Sequence, residues 1–335
     1  MEQQIKTTAV RSISSISLGE FFRKYVLLVV LILCITIFSV INPQFLTLYN
    51  IENIIWQNAY LVVATLGMAL LIIGGGVDLA AGYNLSFGTV LTAACLVWWD
   101  TPVWVAVIAG IAVCILLSVI NGILSIKLNI NAFMITLGTM TIFSGISNIF
   151  TQQQAIYNLP EEFKYIGQGS LLGIPIPLII MVVLIAVASF ILNTTYLGRY
   201  IYAVGGNNEA SRLAGIKVNQ TKILIYIIAG FFFGVSAILL VSRTGSANAT
   251  MAAGTEFTMI TAAVLGGVAI QGGIGKIWSV VVGVFILGIL ANGMQIIGLG
   301  VYPQYIAKGA ILIAAMGFDL YQKNRAAKVA KSTTG

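Results

Sequence analysis

The chain has 335 residues, 59% of them hydrophobic and only 8% charged, with a net charge of +7. Several apolar runs of about 17 residues or more match the roughly 30 Å hydrocarbon thickness of a bilayer, which excludes a soluble globular domain. The lack of His, the small number of acids and three cysteines without metal-ligand spacing (Cys34, Cys95, Cys114) argue against a membrane enzyme and leave the cysteines as core packing.

In chain order, residues 1–24 are polar, and no small-residue cleavage site follows the first apolar run. An uncleaved first helix is therefore expected in place of a signal peptide. Ten apolar spans follow, at 25–41, 54–73, 84–99, 103–125, 132–150, 175–193, 223–242, 257–271, 277–297 and 304–320. Backbone polar groups in lipid must pair within the chain, and runs rich in Leu, Ile, Val and Ala do so as helices and not as alternating barrel strands. The expected fold class is an all-α integral membrane protein of about ten transmembrane helices. A cytoplasmic segment (1–24) and a basic cytoplasmic tail (321–335) flank one domain (25–320).

Charge sets the orientation. With the amino terminus inside, the inner segments hold every one of the 17 basic residues except Lys164, Arg243 and Lys308, while Glu52, Asp100, Glu161 and Glu162 fall outside. Basic residues near span ends favour the cytoplasm, so an even number of spans with both termini inside is expected. The positive balance is mostly topology. The tail suits anionic lipid and not nucleic acid.

The longest inner loop, 194–222, contains "YAVGGNNEASRLAGIKVNQTK". Asn207 suits an N-cap, Glu209 falls in the first turn, and Gly215 stands where a C′ glycine ends a helix, predicting about two turns. Ala210, Leu213 and Ala214 share one small apolar face, with Asn208 and Arg212 elsewhere. A helix this short is marginal alone and needs a surface, either its own bundle or a partner.

Two glycine-rich stretches break the lipid pattern. "GGGVDLAAGYNLSFG" (74–88) includes Gly75 and Gly76, and "GGVAIQGGIGK" (266–276) joins the eighth and ninth spans. Irregular backbone at membrane depth is tolerated only under protein or beside a water-filled cavity, so such breaks are candidates for a pathway and hint at an internal repeat. Glycines also serve plain helix packing, as expected for "GFFFG" (230–234). The second stretch is not a phosphate loop, because Ile277 follows Lys276 where Ser or Thr is required.

Intramembrane amides and hydroxyls at Asn58, Asn84, Ser86, Asn121, Asn148, Asn292 and Gln295 are candidates to line a route for a polyol, although for each one singly an interhelical staple is the simpler reading. Asp78 and Lys308 are ionisable at membrane depth and tend to pair or to snorkel. For Asp78, capping of the next helix, pairing with a base and proton relay all remain open.

"YAVGGNNEASRLAGIKV", "GGGVDLAAG", "SRTGSANATMAAGTEF", "VLGGVAIQGG" and "YIAKGAILIAA" occur in that order between residues 42 and 320. Together they resemble the signatures of the membrane-spanning permease subunit of bacterial ABC importers for ribose, galactose, xylose and related sugars. That resemblance implies a homodimeric, multi-pass inner-membrane permease that binds no cofactor itself. Its partners would be a cytosolic ATPase that uses Mg-ATP and a periplasmic sugar-binding protein. It also implies that Gly206, Asn207, Asn208, Glu209, Ala210, Ser211, Arg212, Leu213, Ala214 and Gly215 form the coupling helix that docks on the ATPase. Two places depart from the family pattern, Ala80-Ala81 and Gly273-Ile274-Gly275, and they bear on substrate. The competing class is a proton- or sodium-coupled transporter, for which Asp78 is the one plausible coupling residue.

Overall fold

The computed structural model describes the backbone of residues 18–333 and the side chains of residues 27–317, so the basic side chains of the first 24 positions and of the tail lie outside it. Thirteen α-helices are present among the described residues. They are α1 (Leu18–Ile41), α2 (Leu48–Ile73), α3 (Ala81–Val97), α4 (Val103–Leu128), α5 (Ala132–Thr151), α6 (Glu161–Gln168), α7 (Ile176–Thr194), α8 (Tyr196–Gly206), α9 (Asn208–Leu213), α10 (Val218–Thr244), α11 (Thr255–Leu265), α12 (Ile277–Ile296) and α13 (Val301–Thr333). Each of the ten expected spans falls on one of these helices. Six of them, α2, α4, α5, α7, α10 and α12, are long and apolar enough to cross a membrane, and this is a multi-pass membrane protein.

The interior is built on α2, α10 and α12, whose apolar windows are 78%, 67% and 67% buried, against 28%, 22% and 28% for α4, α5 and α7. Helices apolar on every side are stable at the centre of such a bundle, and those with one buried stripe face lipid. Small residues set the closest crossings. A Cβ on Gly230 would lie 2.6 Å from Ile115 Cα and one on Gly234 would lie 2.7 Å from Ile111 Cα, so the "GFFFG" glycines let α10 press on the backbone of α4.

Helix ends follow local chemistry. Thr47, Asn131, Thr195 and Asn207 accept hydrogen bonds from the first turns of α2, α5, α8 and α9. At the other ends, α2, α9, α11 and α12 stop in the same way. A glycine with φ between +81° and +84° (Gly75, Gly215, Gly267, Gly298) donates its N–H back into the last turn, and the next residue's N–H reaches one carbonyl further. This Schellman closure needs the left-handed region that glycine reaches without strain.

Four expectations change. The eighth span stops at Leu265 instead of 271, because the Gly266–Gly267 closure ends α11 after 11 residues, about 16 Å of helix and too short to cross alone. The inner loop carries a second, unexpected helix, α8, capped by Thr195 Oγ1. The last helix runs unbroken through position 320 to Thr333, so the tail continues it, and α1 begins at Leu18, inside the segment expected to precede it. A small cap, α6 followed by a hairpin of β1 (Ser170–Leu171) and β2 (Ile174–Pro175), fills the connection between α5 and α7. Leu172 and Gly173 both have positive φ there, as a two-residue hairpin turn requires.

Candidate functional site

The loop helix forms as its sequence dictates. Asn207 Oδ1 accepts from Ala210 N–H at 2.9 Å, Glu209 pairs with Arg212 at 3.1 Å, and the Gly215 N–H bonds Arg212 O while Ile216 N–H bonds Ser211 O. Both ends are thus closed by side chain or backbone. Ser211 is buried and its hydroxyl donates to Asn207 O at 2.8 Å, so α9 rests on the bundle through this side. Ala210 and Ala214 are exposed and Leu213 is 90% exposed, so the apolar face turns outward.

The corner between α8 and α9 sits on the two glycine-rich breaks. Gly273 N–H donates to Ile73 O at 2.8 Å, and the Tyr202 hydroxyl donates to Gly275 O at 2.8 Å. Burial there raises the Tyr202 phenol above its ordinary pKa. A Cβ on Gly205 would fall 1.8 Å from Ile73 O, and one on Gly272 would fall 2.7 Å from Gly205 O and 2.9 Å from Gly75 Cα. Three backbones meet where no side chain fits. The breaks that looked like separate features of the sequence are therefore one junction, with Gly75 at its centre, Gly206 at its edge and Gly76 beside it against Leu71 O and Tyr226.

Next to this junction lies a buried polar seam. Asp78 Oδ1 accepts from Ala80 N–H at 2.9 Å in an Asx turn just ahead of α3, and Asn121 Nδ2 donates to both Asp78 oxygens at 3.2 Å. Asn84 Nδ2 reaches Ser118 Oγ at 2.9 Å and Cys114 O at 3.1 Å. Ser86 Oγ donates to Gly82 O and accepts from Ala252 N–H, both at 2.9 Å, tying α3 to the segment before α11. Asp78, Asn84, Ser86 and Asn121 are all fully buried; Asp78 pairs with Asn121 and Asn84 bonds α4 one turn away at Ser118, while Ser86 faces the segment before α11.

The other candidates do not join them. Asn292 exchanges two 3.0 Å hydrogen bonds with Asn50, stapling α12 to α2, and Asn58 and Asn148 turn back onto carbonyls of their own helices. Gln295 is exposed near the end of α12, and Lys308 is half-buried on α13. Sequence reasoning missed Glu256, which is fully buried in the first turn of α11 with Oε1 on Gly254 N–H and Oε2 unpartnered against Gly82. Its position at the mouth of an apolar run, two residues after a glycine, was the available signal. Tyr226 was also missed: its ring packs on Gly122 and its buried hydroxyl has no partner among the described residues.

Residues 50–316 match the family described as "Branched-chain amino acid transport system / permease component". Among curated proteins, the ribose import permease protein RbsC of Haemophilus influenzae is 35% identical over 312 residues, covering 92% of this chain and 96% of that one. RbsC of Bacillus subtilis is 36% identical over 90% of this chain and 92% of its own length. The L-arabinose transport system permease protein AraH of Escherichia coli is 34% identical over 92% and 94%. No solved structure matches the chain. A match over most of the length, with relatives above 30% identity along nearly all of both chains, shows the family: this chain belongs to that permease family.

Proposed function

We propose that the chain is the membrane-spanning, non-catalytic permease of a bacterial ABC importer for a monosaccharide of the ribose, arabinose or allose kind. It would work as a homodimer with a cytosolic ATPase and a periplasmic binding protein. The relatives supply the substrate class, since they are named for ribose, L-arabinose and D-allose transport. The proposal includes ten spans with both termini cytoplasmic. α1, α3, α11 and α13 add to the six long helices, and α11 completes its crossing with the irregular segments on either side.

One observation carries the mechanism: α9 is closed at both ends yet exposes Leu213, Ala210 and Ala214. A capped six-residue helix is not stable by itself, and an apolar face held out into water is a docking face. Residues 206–215 are therefore read as the coupling helix, with Leu213 seated in a groove of the ATPase. Its footing on Gly205, Gly75 and Gly272 transfers a push on α9 to the two breaks, beside Asp78, Asn84, Ser86 and Asn121. These polar groups, together with Gly75 and Gly76, are the part of the translocation pathway proposed here. The Asp78 carboxylate is engaged with Ala80 N–H and Asn121, which favours a structural role over proton coupling.

Leu213→Asp tests the coupling. Burying an unpaired charge in such a groove costs several kcal/mol. The variant is expected to insert normally but to lose its ATPase on co-purification and lose sugar-stimulated hydrolysis. Retention of both would overturn the assignment. Uptake of labelled pentoses and hexoses by cells with and without the gene identifies the cargo, and persistence of that uptake when the proton gradient is collapsed at constant ATP separates the importer from a secondary transporter.

A further inference from the structure

α8 leaves the end of a span and turns away from it at once. α7 is 19 residues long, about 28 Å, which matches the roughly 30 Å hydrocarbon layer, and only Thr195 separates its last residue from Tyr196. The first turn of α8 is therefore fixed at the level of the lipid headgroups. It does not continue α7. Thr195 is extended, its Oγ1 accepts from Gly198 N–H at 3.2 Å, and Gly198 lies so close to the carbonyls of Ile191 and Leu192 that no Cβ fits. One side of the helix, Gly198, Ile201 and Val204, is buried against the bundle. The opposite side presents Tyr196, Arg199 and Tyr200, an i, i+3, i+4 stripe, with Tyr196 74% exposed. The Arg199 guanidinium stands over the Tyr196 ring, 4.4 Å from its centroid, and makes no ion pair among the described residues.

An exposed cation by itself calls for no partner; the place of this one does. Two tyrosines beside an arginine at the end of a span are groups with an apolar body and a wet tip, which belong in the headgroup layer. Stacking covers one face of the guanidinium and leaves its N–H edges free, the geometry that grips a phosphate through two parallel hydrogen bonds. α8 carries no acid, and the exposed inner loops hold Lys127, Arg212, Lys217 and Lys276 against Glu209 as their one exposed acid among the described residues. That balance attracts a headgroup of net negative charge and repels the ammonium of a zwitterionic one. We propose that the outward stripe of α8 binds an anionic phospholipid, with its phosphate on Arg199 and its glycerol between the rings of Tyr196 and Tyr200. The acyl chains would lie on the exposed Val183, Val187 and Phe190 of α7. The inner-side placement rests on the topology proposed above. Because α8 joins α7 to α9, a lipid held there fixes the membrane end of the lever that the coupling helix works, so anionic lipid is expected to strengthen coupling.

Native mass spectrometry of the purified full-length permease, equilibrated with equal amounts of phosphatidylglycerol and phosphatidylethanolamine, reads the site directly. The wild type is expected to retain phosphatidylglycerol several-fold over phosphatidylethanolamine. Arg199→Gln and Tyr196→Leu, both changes of exposed side chains, should lose that preference, and Arg199→Lys, which keeps the charge without the planar fork, should keep only part of it. Lys127→Gln removes an exposed cation elsewhere on the inner side and should leave the preference intact. Equal loss in Lys127→Gln would mean diffuse attraction to basic loops, and displacement of the lipid by glycerol 3-phosphate at matched concentration would mean a site for free anions. Either result overturns the proposal. In nanodiscs of phosphatidylcholine, added phosphatidylglycerol should raise sugar-stimulated ATP hydrolysis several-fold for the wild-type importer and not for Arg199→Gln. If Arg199→Gln keeps the lipid preference but loses its ATPase on co-purification, the stripe is a face for the ATPase and the proposal falls. Lipid retention is read from the permease alone, in detergent, so a failure of the topology or of the importer assignment is distinguishable from a failure of the lipid site.

Discussion

Asn121 is the residue whose removal should be most informative about the seam, because a second substitution is expected to repair the damage. Its Nδ2 donates to both oxygens of Asp78 at 3.2 Å in a site with no solvent exposure, and Ala80 N–H is the other donor to that carboxylate. Asn121→Leu removes the side-chain donor and leaves a buried carboxylate held by one backbone N–H. Hydrogen bonds to charged groups contribute about 1.5–3 kcal/mol, and stripping the partner from a buried charge costs about 3–5 kcal/mol. The two donor contacts are long and come from one nitrogen, so the lower end applies, about 3 kcal/mol. Asp78→Asn removes the charge and keeps an acceptor for Ala80 N–H, so by itself it should cost about 1 kcal/mol. In the double variant no charge is stranded. Asp78→Asn/Asn121→Leu is therefore expected to be more stable than Asn121→Leu alone, with a coupling energy of about 2 kcal/mol. The assay is thermal or denaturant unfolding of the purified permease, followed by the fraction remaining monodisperse. If the double variant unfolds with or before Asn121→Leu, the carboxylate is not what makes Asn121 necessary.

Single cysteines at Gln153 and Asn219, both exposed, should be labelled by impermeant reagents from opposite sides of the membrane, and labelling of both from one side would refute the ten-span topology. Gly110→Val should disrupt the α3–α4 crossing, since a Cβ there would lie 2.0 Å from Thr92 Oγ1, and overpacking of this kind costs about 1–3 kcal/mol. Gly138→Ala, with nothing within 4 Å of its Cβ, should be neutral or slightly stabilising, and comparing the folded yields of the two variants checks both.

The membrane class, all ten helices and α9 with both caps were legible because each depends on signals local in sequence: apolar length, an Asn at the N-cap, a glycine at C′. What sequence did not show is mostly long-range. The two glycine breaks looked alike, but nothing local says that Gly273 N–H finds Ile73 O or that Gly205 is pressed between them. Asn292 looked like a pathway residue because its partner, Asn50, is 242 positions away. Glu256 was missed for a different reason. An acid at the start of an apolar run looks like a span boundary, and only the approach of Gly82 shows that this one is enclosed. The early end of α11 was legible in principle, since Gly266–Gly267 is a stop signal, but a run of apolar residues beyond it extended the expected span.

α10 connects the two ends of the molecule. It begins three residues after the αL glycine that closes α9 and runs for 27 residues, about 40 Å, with no proline and no interruption. At its far end the cap helix α6 is pressed against it: a Cβ on Gly167 would lie 2.4 Å from Arg243 N and 2.5 Å from Ser242 Oγ, and Gln168 Nε2 donates to Arg243 O at 2.8 Å. Between those ends Gly230 and Gly234 sit on the α4 backbone, and the Ser236 hydroxyl donates to Tyr60 O at 2.7 Å. A continuous helix seated so closely moves as a unit, whereas the paths through α2–α3 and α11 are broken by glycines that absorb displacement. A change at the α6 cap is therefore expected to reach α9 through α10. Gly167→Val lifts α6 from α10 without touching α9 or the seam. In the reconstituted importer it should leave basal ATP hydrolysis unchanged and reduce stimulation by the loaded binding protein several-fold. Full stimulation with α6 displaced, its displacement verified by cross-linking between cysteines at Gln168 and Arg243, would show that the signal travels by another route.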